Sequence, residues 1–132
     1  MNISLSNEER NLIARSWVRY QSGSQPSYLS GNRTPEPDYK KVLSLDGDIW
    51  PYEDSPFDVL YDLNYDAPDI AYDIVLRIAE ITDDERLLAY LAAGPLEALI
   101  SHHDEAEKYL TKFKKLVATS AKHKHLLSMV WF

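Results

Sequence analysis

The chain has 132 residues, 45% of them hydrophobic, and a formal charge of −7 from 21 acids and 14 bases. That composition fits one folded domain rather than a disordered chain, and the acidic balance argues against general nucleic-acid binding. The lack of any cysteine excludes disulfide scaffolds, thiolate nucleophiles and Cys-ligated zinc, and no apolar run approaches the ~20 residues of a membrane span.

The first residues carry an early acid pair, Glu8 and Glu9, and no apolar signal-peptide core, so the expected address is cytoplasmic. Ser6-Asn7-Glu8-Glu9 has the form of a capping box, and Leu12, Ile13, Trp17 and Tyr20 follow at helical spacing. Together they predict a helix over about 7–21. Residues 22–38 are rich in Ser, Gly and Pro without periodicity and predict a mobile loop. Residues 39–50 suit a short helix or a strand, so about 22–54 is expected to be irregular.

From Ser55 onward the sequence predicts consecutive short helices. Ser55 is a candidate N-cap with Pro56 in the first turn, followed by an apolar stripe of Phe57, Leu60 and Leu63. Pro68 opens the next helix, whose apolar face is Ile70, Ile74, Val75 and Ile78, with Ile81 a further candidate. Thr82-Asp83-Asp84-Glu85 has the form of a second capping box before Leu87, Leu88 and Leu91. Gly94 is expected to end that helix, and Pro95 to open another carrying Leu96, Leu99 and Ile100. A longer helix follows with Tyr109, Leu110, Phe113, Leu116 and Val117, supported by Asp104 and Lys108 at i,i+4. Leu126, Leu127, Val130 and Trp131 supply a final apolar helix or tail. The expected fold over 1–132 is a single all-α domain, a compact bundle or short stack of about six short antiparallel helices.

The charge is unevenly placed. Residues 36–85 hold fifteen acids and three bases, a net −12, between ends that are mildly basic. Asp58, Asp62, Asp66, Asp69 and Asp73 follow one another at intervals of four, four, three and four, with Tyr61, Tyr65 and Tyr72 among them. Such intervals keep the carboxylates on one side of each helix. The bland interpretation is a solvated acidic face with tyrosines half-buried at its rim. The sharper one is a docking surface, where carboxylates steer a basic protein and tyrosines supply rigid contact area. A Ca²⁺ or Mg²⁺ site is a third option, but EF-hand spacing is absent.

Elsewhere the chemical signals are weak. Glu97 follows Gly94-Pro95-Leu96 and fits a carboxylate capping the first turn of a helix, or a pocket carboxylate near His102 and His103. Adjacent or alternate histidines on a helix, as in His102-His103 and His123-Lys124-His125, point to different faces and make poor ligand sets for one metal. Ser120 and Ser128 near His123 and His125 lack any nucleophile motif, and four glycines provide no phosphate-cradling loop. No catalytic residue, metal or cofactor is expected. An acid-rich face also gives no reason to expect direct nucleic-acid or membrane partners.

Asp66-Ala67-Pro68-Asp69-Ile70-Ala71-Tyr72 and Leu88-Ala89-Tyr90-Leu91-Ala92-Ala93-Gly94-Pro95-Leu96-Glu97-Ala98-Leu99 resemble a bacterial family of small helical domains of unknown function. Gly94-Pro95-Leu96-Glu97 is the most specific part, and Trp131 matches the family's terminal aromatic. The resemblance covers about 55–132, with Asp69, Tyr72 and His103 departing from the family's usual Glu, Trp and Gly. It implies a helical domain. By analogy, small acidic helical proteins of this kind look similar to immunity proteins encoded beside bacterial toxins. The expected function is a protein–protein interaction module, an immunity- or antitoxin-like inhibitor of a basic effector such as a nuclease toxin. The residues expected to bind that partner are Asp58, Tyr61, Asp62, Tyr65, Asp66, Asp69, Tyr72 and Asp73. The alternatives are a ligand-binding domain or hydrolase-like enzyme using Glu97 with His102 or His103, and a scaffold or oligomerisation domain built on Leu126 to Phe132.

Overall fold

A computed structural model describes residues 3–23 and 48–131, and among them it contains helices and no strand. Helix α1 (Asn7–Gly23) begins at the capping box: the Ser6 hydroxyl accepts from the Glu9 amide at 3.1 Å and the Glu9 carboxylate from the Ser6 amide at 3.2 Å. The helix runs through Ser22 and Gly23, two residues beyond the predicted end. The rest of the predicted loop over 22–38, and the ambiguous stretch up to residue 47, lie outside the described residues. Residues 48–54 carry no helix, and within them Trp50 is buried, its indole donating to the Asp54 carbonyl at 2.9 Å.

Helix α2 (Pro56–Asp66) starts where expected, with the Ser55 hydroxyl accepting from the Asp58 amide at 3.2 Å. Its inner face is Pro56, Leu60, Leu63 and Asn64. Phe57, expected in the apolar stripe, is 45% exposed. A helix turns 100° per residue, so the side chain three positions before Leu60 shares the inner face only at its margin. Helix α3 (Pro68–Ile81) buries Ile70, Ala71, Tyr72, Ile74, Val75, Ile78 and Ala79, and leaves Ile81 half exposed.

The cap of helix α4 (Glu85–Leu91) is Asp84, two residues past the predicted Thr82. Asp84 accepts from the amides of Arg86 at 2.9 Å and Leu87 at 3.3 Å, while Thr82 accepts from the Asp84 amide. Nor does α4 end at Gly94. It continues as two widened π turns, Ala92–Leu96 and Ala98–His102, with the Glu97 amide reaching back five residues to the Ala92 carbonyl. Pro95 explains the widening, because its missing N–H and its ring are incompatible with the ordinary bond to the carbonyl four residues back. Gly94 accordingly lies outside the left-handed region, and an added Cβ there would meet nothing within 4 Å.

Helix α5 (Ala106–Val117) buries Tyr109 and Phe113, and Lys108 pairs with Asp69 and Glu105 in place of the expected Asp104. Helix α6 (Ala121–Ser128) is capped by Ser120, which accepts from the His123 amide. Ser120 therefore meets His123 as a cap. Burial pushes the His123 imidazole below its ordinary value as it packs edge-on against Phe113. An ion pair from Lys122 to Asp83 and a 2.8 Å contact between His125 Nε2 and the Glu85 carboxylate tie α6 to the start of α4.

Helix α1 packs on α3 and α2, and α5 packs on the second π turn and on α6. One core joins Ile13, Ala14 and Trp17 of α1 to Leu60, Ile74, Val75, Ile78, Leu91, Leu99, Phe113 and Leu126. The all-α expectation holds for the described residues. No helix among them is long and apolar enough to cross a membrane.

Candidate functional site

The site follows from how α2 is fixed. Ser55 and Pro56 set where the helix begins, and Leu60 and Leu63 turn one face into the core. Two rows with a four-residue repeat then run from the margin of that face, at Phe57, round to the outer side. Phe57, Tyr61 and Tyr65 form the first, 45%, 52% and 60% exposed, with ring centroids 6.5 Å and 5.2 Å apart along the row. Asp58, Asp62 and Asp66, all exposed, form the second, one residue further along. Asp58 also accepts from the Ser55 hydroxyl at 3.2 Å. The Tyr61 phenol is pushed above its ordinary value, chiefly by the neighbouring Tyr65 hydroxyl.

Three acids on either side of α2, Asp48, Asp69 and Asp73, behave differently, because the protein's own cations use them. Asp48 takes a fork from Arg15 at 2.9 and 3.1 Å and a bond from Arg19 at 2.7 Å. Asp73 lies between Arg10 at 2.9 Å and Arg77 at 3.0 Å, and Arg77 continues to Asn7 and Asn11 of α1. Asp69 accepts from the Tyr109 hydroxyl at 2.8 Å and from Lys108 at 3.4 Å. The Tyr109 bond holds the Asp69 carboxyl below its usual range, and burial first, then Asp69, pushes the Tyr109 phenol far up. Among the described residues, Asp62 and Asp66 make no ion pair.

The eight residues predicted to bind a partner therefore divide. Asp58, Tyr61, Asp62, Tyr65 and Asp66 stand together on the outside of α2. Asp69 and Asp73 join α3 to α5 and α1, and Tyr72 is 9% exposed, its ring 5.5 Å from that of Tyr109. Among the described residues the Tyr72 hydroxyl has no hydrogen-bond partner, and desolvation pushes its phenol up. Phe57 was missed from the site, although its place four residues before Tyr61 was visible in the sequence.

Glu97 has a role other than the predicted helix cap. One oxygen accepts from the Trp131 backbone amide at 2.9 Å, and the other lies 3.5 Å from His102 Nε2. Pro95 and Leu96 are buried just before it, and Val130 just before Trp131. The motif Gly94-Pro95-Leu96-Glu97 thus meets the C-terminal tail, whose Trp131 side chain is 80% exposed. His103 turns the other way, its Nδ1 accepting from the Glu105 amide at the approach to α5. Glu97 and His102 are brought together and His103 is not. Among the described residues no three His, Asp or Glu side chains gather closely enough to hold a metal ion.

Comparison with curated proteins and with solved structures gives no match. A model for a family of unknown function, DUF6869, matches residues 52–132, a stretch that runs from Tyr52, just before α2, to the end of the chain. The matched stretch includes both the aromatic and acidic face of α2 and the junction of Glu97 with the tail, and the chain belongs to this family.

Proposed function

We propose that the protein is an interaction module of the immunity or antitoxin kind, which holds a basic bacterial effector against the outer face of α2. One observation carries this: among the described residues, Asp62 and Asp66 have no cation and stand beside three exposed, mutually packed aromatic rings, while Asp48, Asp69 and Asp73 are all paired. Unpaired carboxylates at i,i+4 repel, and exposed aromatics contribute little to a monomer. Both make sense where a partner supplies the cations and covers the rings. A nuclease toxin is the fitting effector, since its substrate channel is basic and an acidic face can occupy it. The Gly94-Pro95-Leu96-Glu97 motif serves as scaffold: its turn packs against α2 and Glu97 fastens the tail.

The test is co-purification with the product of the neighbouring gene at low and high salt. Asp62→Asn with Asp66→Asn should weaken binding roughly tenfold or more and flatten its salt dependence. Unchanged affinity and unchanged salt dependence would reject α2 as the docking face.

A further inference from the structure

We infer, building on the docking role proposed for α2, that the ligand of this face is a basic α-helix of the partner carrying arginines four residues apart. The rows Phe57/Tyr61/Tyr65 and Asp58/Asp62/Asp66 run side by side with one repeat, a rise of ~6 Å per step. Each step therefore offers a carboxylate beside a ring, and α2 contains no basic residue to compete for it. A guanidinium is flat, so it can lie on a ring while its edge forks onto a carboxylate. A lysine ammonium is a point charge that meets both without a flat face to stack or an edge to fork, as Lys108 does over the Tyr109 ring beside Asp69, so it gains less from each step.

The backbone decides between a helix and an extended segment. Across its 11 residues, ~16 Å, α2 bonds its own amides and carbonyls, so its outer face offers side chains alone. An extended segment laid on that face would find no backbone partner. A helix brings its backbone already satisfied, and its i,i+4 side chains repeat at the same ~6 Å as the strip they meet.

The experiment uses the full chain and three alanine-rich helical peptides of equal charge, titrated by fluorescence anisotropy. One carries arginines at i, i+4 and i+8, the second the same arginines spread around the helix, the third lysines at i, i+4 and i+8. The aligned arginine peptide should bind about tenfold more tightly than the dispersed one and about threefold more tightly than the lysine one. Tyr61→Ala with Tyr65→Ala, and separately Asp62→Asn with Asp66→Asn, should abolish that preference, with circular dichroism confirming that both variants remain helical. Equal affinity for aligned and dispersed arginines, or a preference that survives either double variant, overturns the inference. The docking role itself is judged apart, by the response of the effector to Asp62→Asn with Asp66→Asn. A responsive effector with undiscriminated peptides removes the arginine helix and leaves the docking face.

Discussion

Asp48 and Asp62 carry the same carboxylate in the same acidic stretch and meet opposite fates. Arg15 holds the Asp48 carboxyl down to about 2 from an ordinary 3.8, with Arg19 adding to it against the cost of burial. Because the folded value is the lower one, this stabilisation is complete above the unfolded value and is lost as pH falls from about 4 towards 2. Asp48→Asn is therefore expected to cost about 1–2 kcal/mol in urea unfolding at pH 7, after discounting for solvent screening, and little near pH 2. Nothing in the linear sequence separates the two aspartates. The arginines that claim Asp48 lie 29 and 33 positions away, on a helix whose orientation only packing determines. The tyrosines were equally unsortable by type: Tyr61 and Tyr65 face water, whereas Tyr72 lies on the buried side of α3.

The helices themselves were largely legible, because their starts are written in local chemistry. Ser6 with Glu9, Ser55 with Pro56, and Pro68 each mark a first turn without reference to the rest of the protein. Ser55 matters beyond its own bond, since it fixes the beginning of the helix that presents the docking rows. Ser55→Ala is expected to destabilise the protein by about 1 kcal/mol, measured by thermal or urea unfolding. Helix ends were less legible. Thr82 and Asp84 both offer capping oxygens, and the choice fell on the residue whose side chain reaches two free amides. Gly94-Pro95 has the local form of a stop followed by a start, yet the buried Leu91, Ala92, Leu96, Leu99 and Ile100 keep one continuous helix in the core. The proline is taken up by widening the turn.

At the scale of the whole molecule, the uneven charge becomes a division of labour. Asp73, Asp48 and Asp69, on either side of α2, fasten α1 to α3 and to residue 48, and α3 to α5. Those on α2 are left to repel one another, Asp62 from both Asp58 and Asp66. Removing the middle charge should thus relieve two like-charge pairs, and Asp62→Asn is expected to stabilise the free protein by about 0.5 kcal/mol in urea unfolding. A variant that gains stability while losing its partner is the signature of a residue kept for binding. A variant that loses stability would place Asp62 in the fold.

The seating of α1 on α2 and α3 bears on folding autonomy. Ile13 and Trp17 are wholly withdrawn from water, and Arg77 reaches across 66 and 70 positions to hold Asn11 and Asn7. Burial of Ile13 alone stabilises by about 1.5–3 kcal/mol, a sizeable share of a small domain's margin. The family match begins at residue 52, whereas the wall that closes this core is contributed by residues 7–23. Residues 52–132 taken alone would leave uncovered the part of this core that Ile13, Ala14 and Trp17 close.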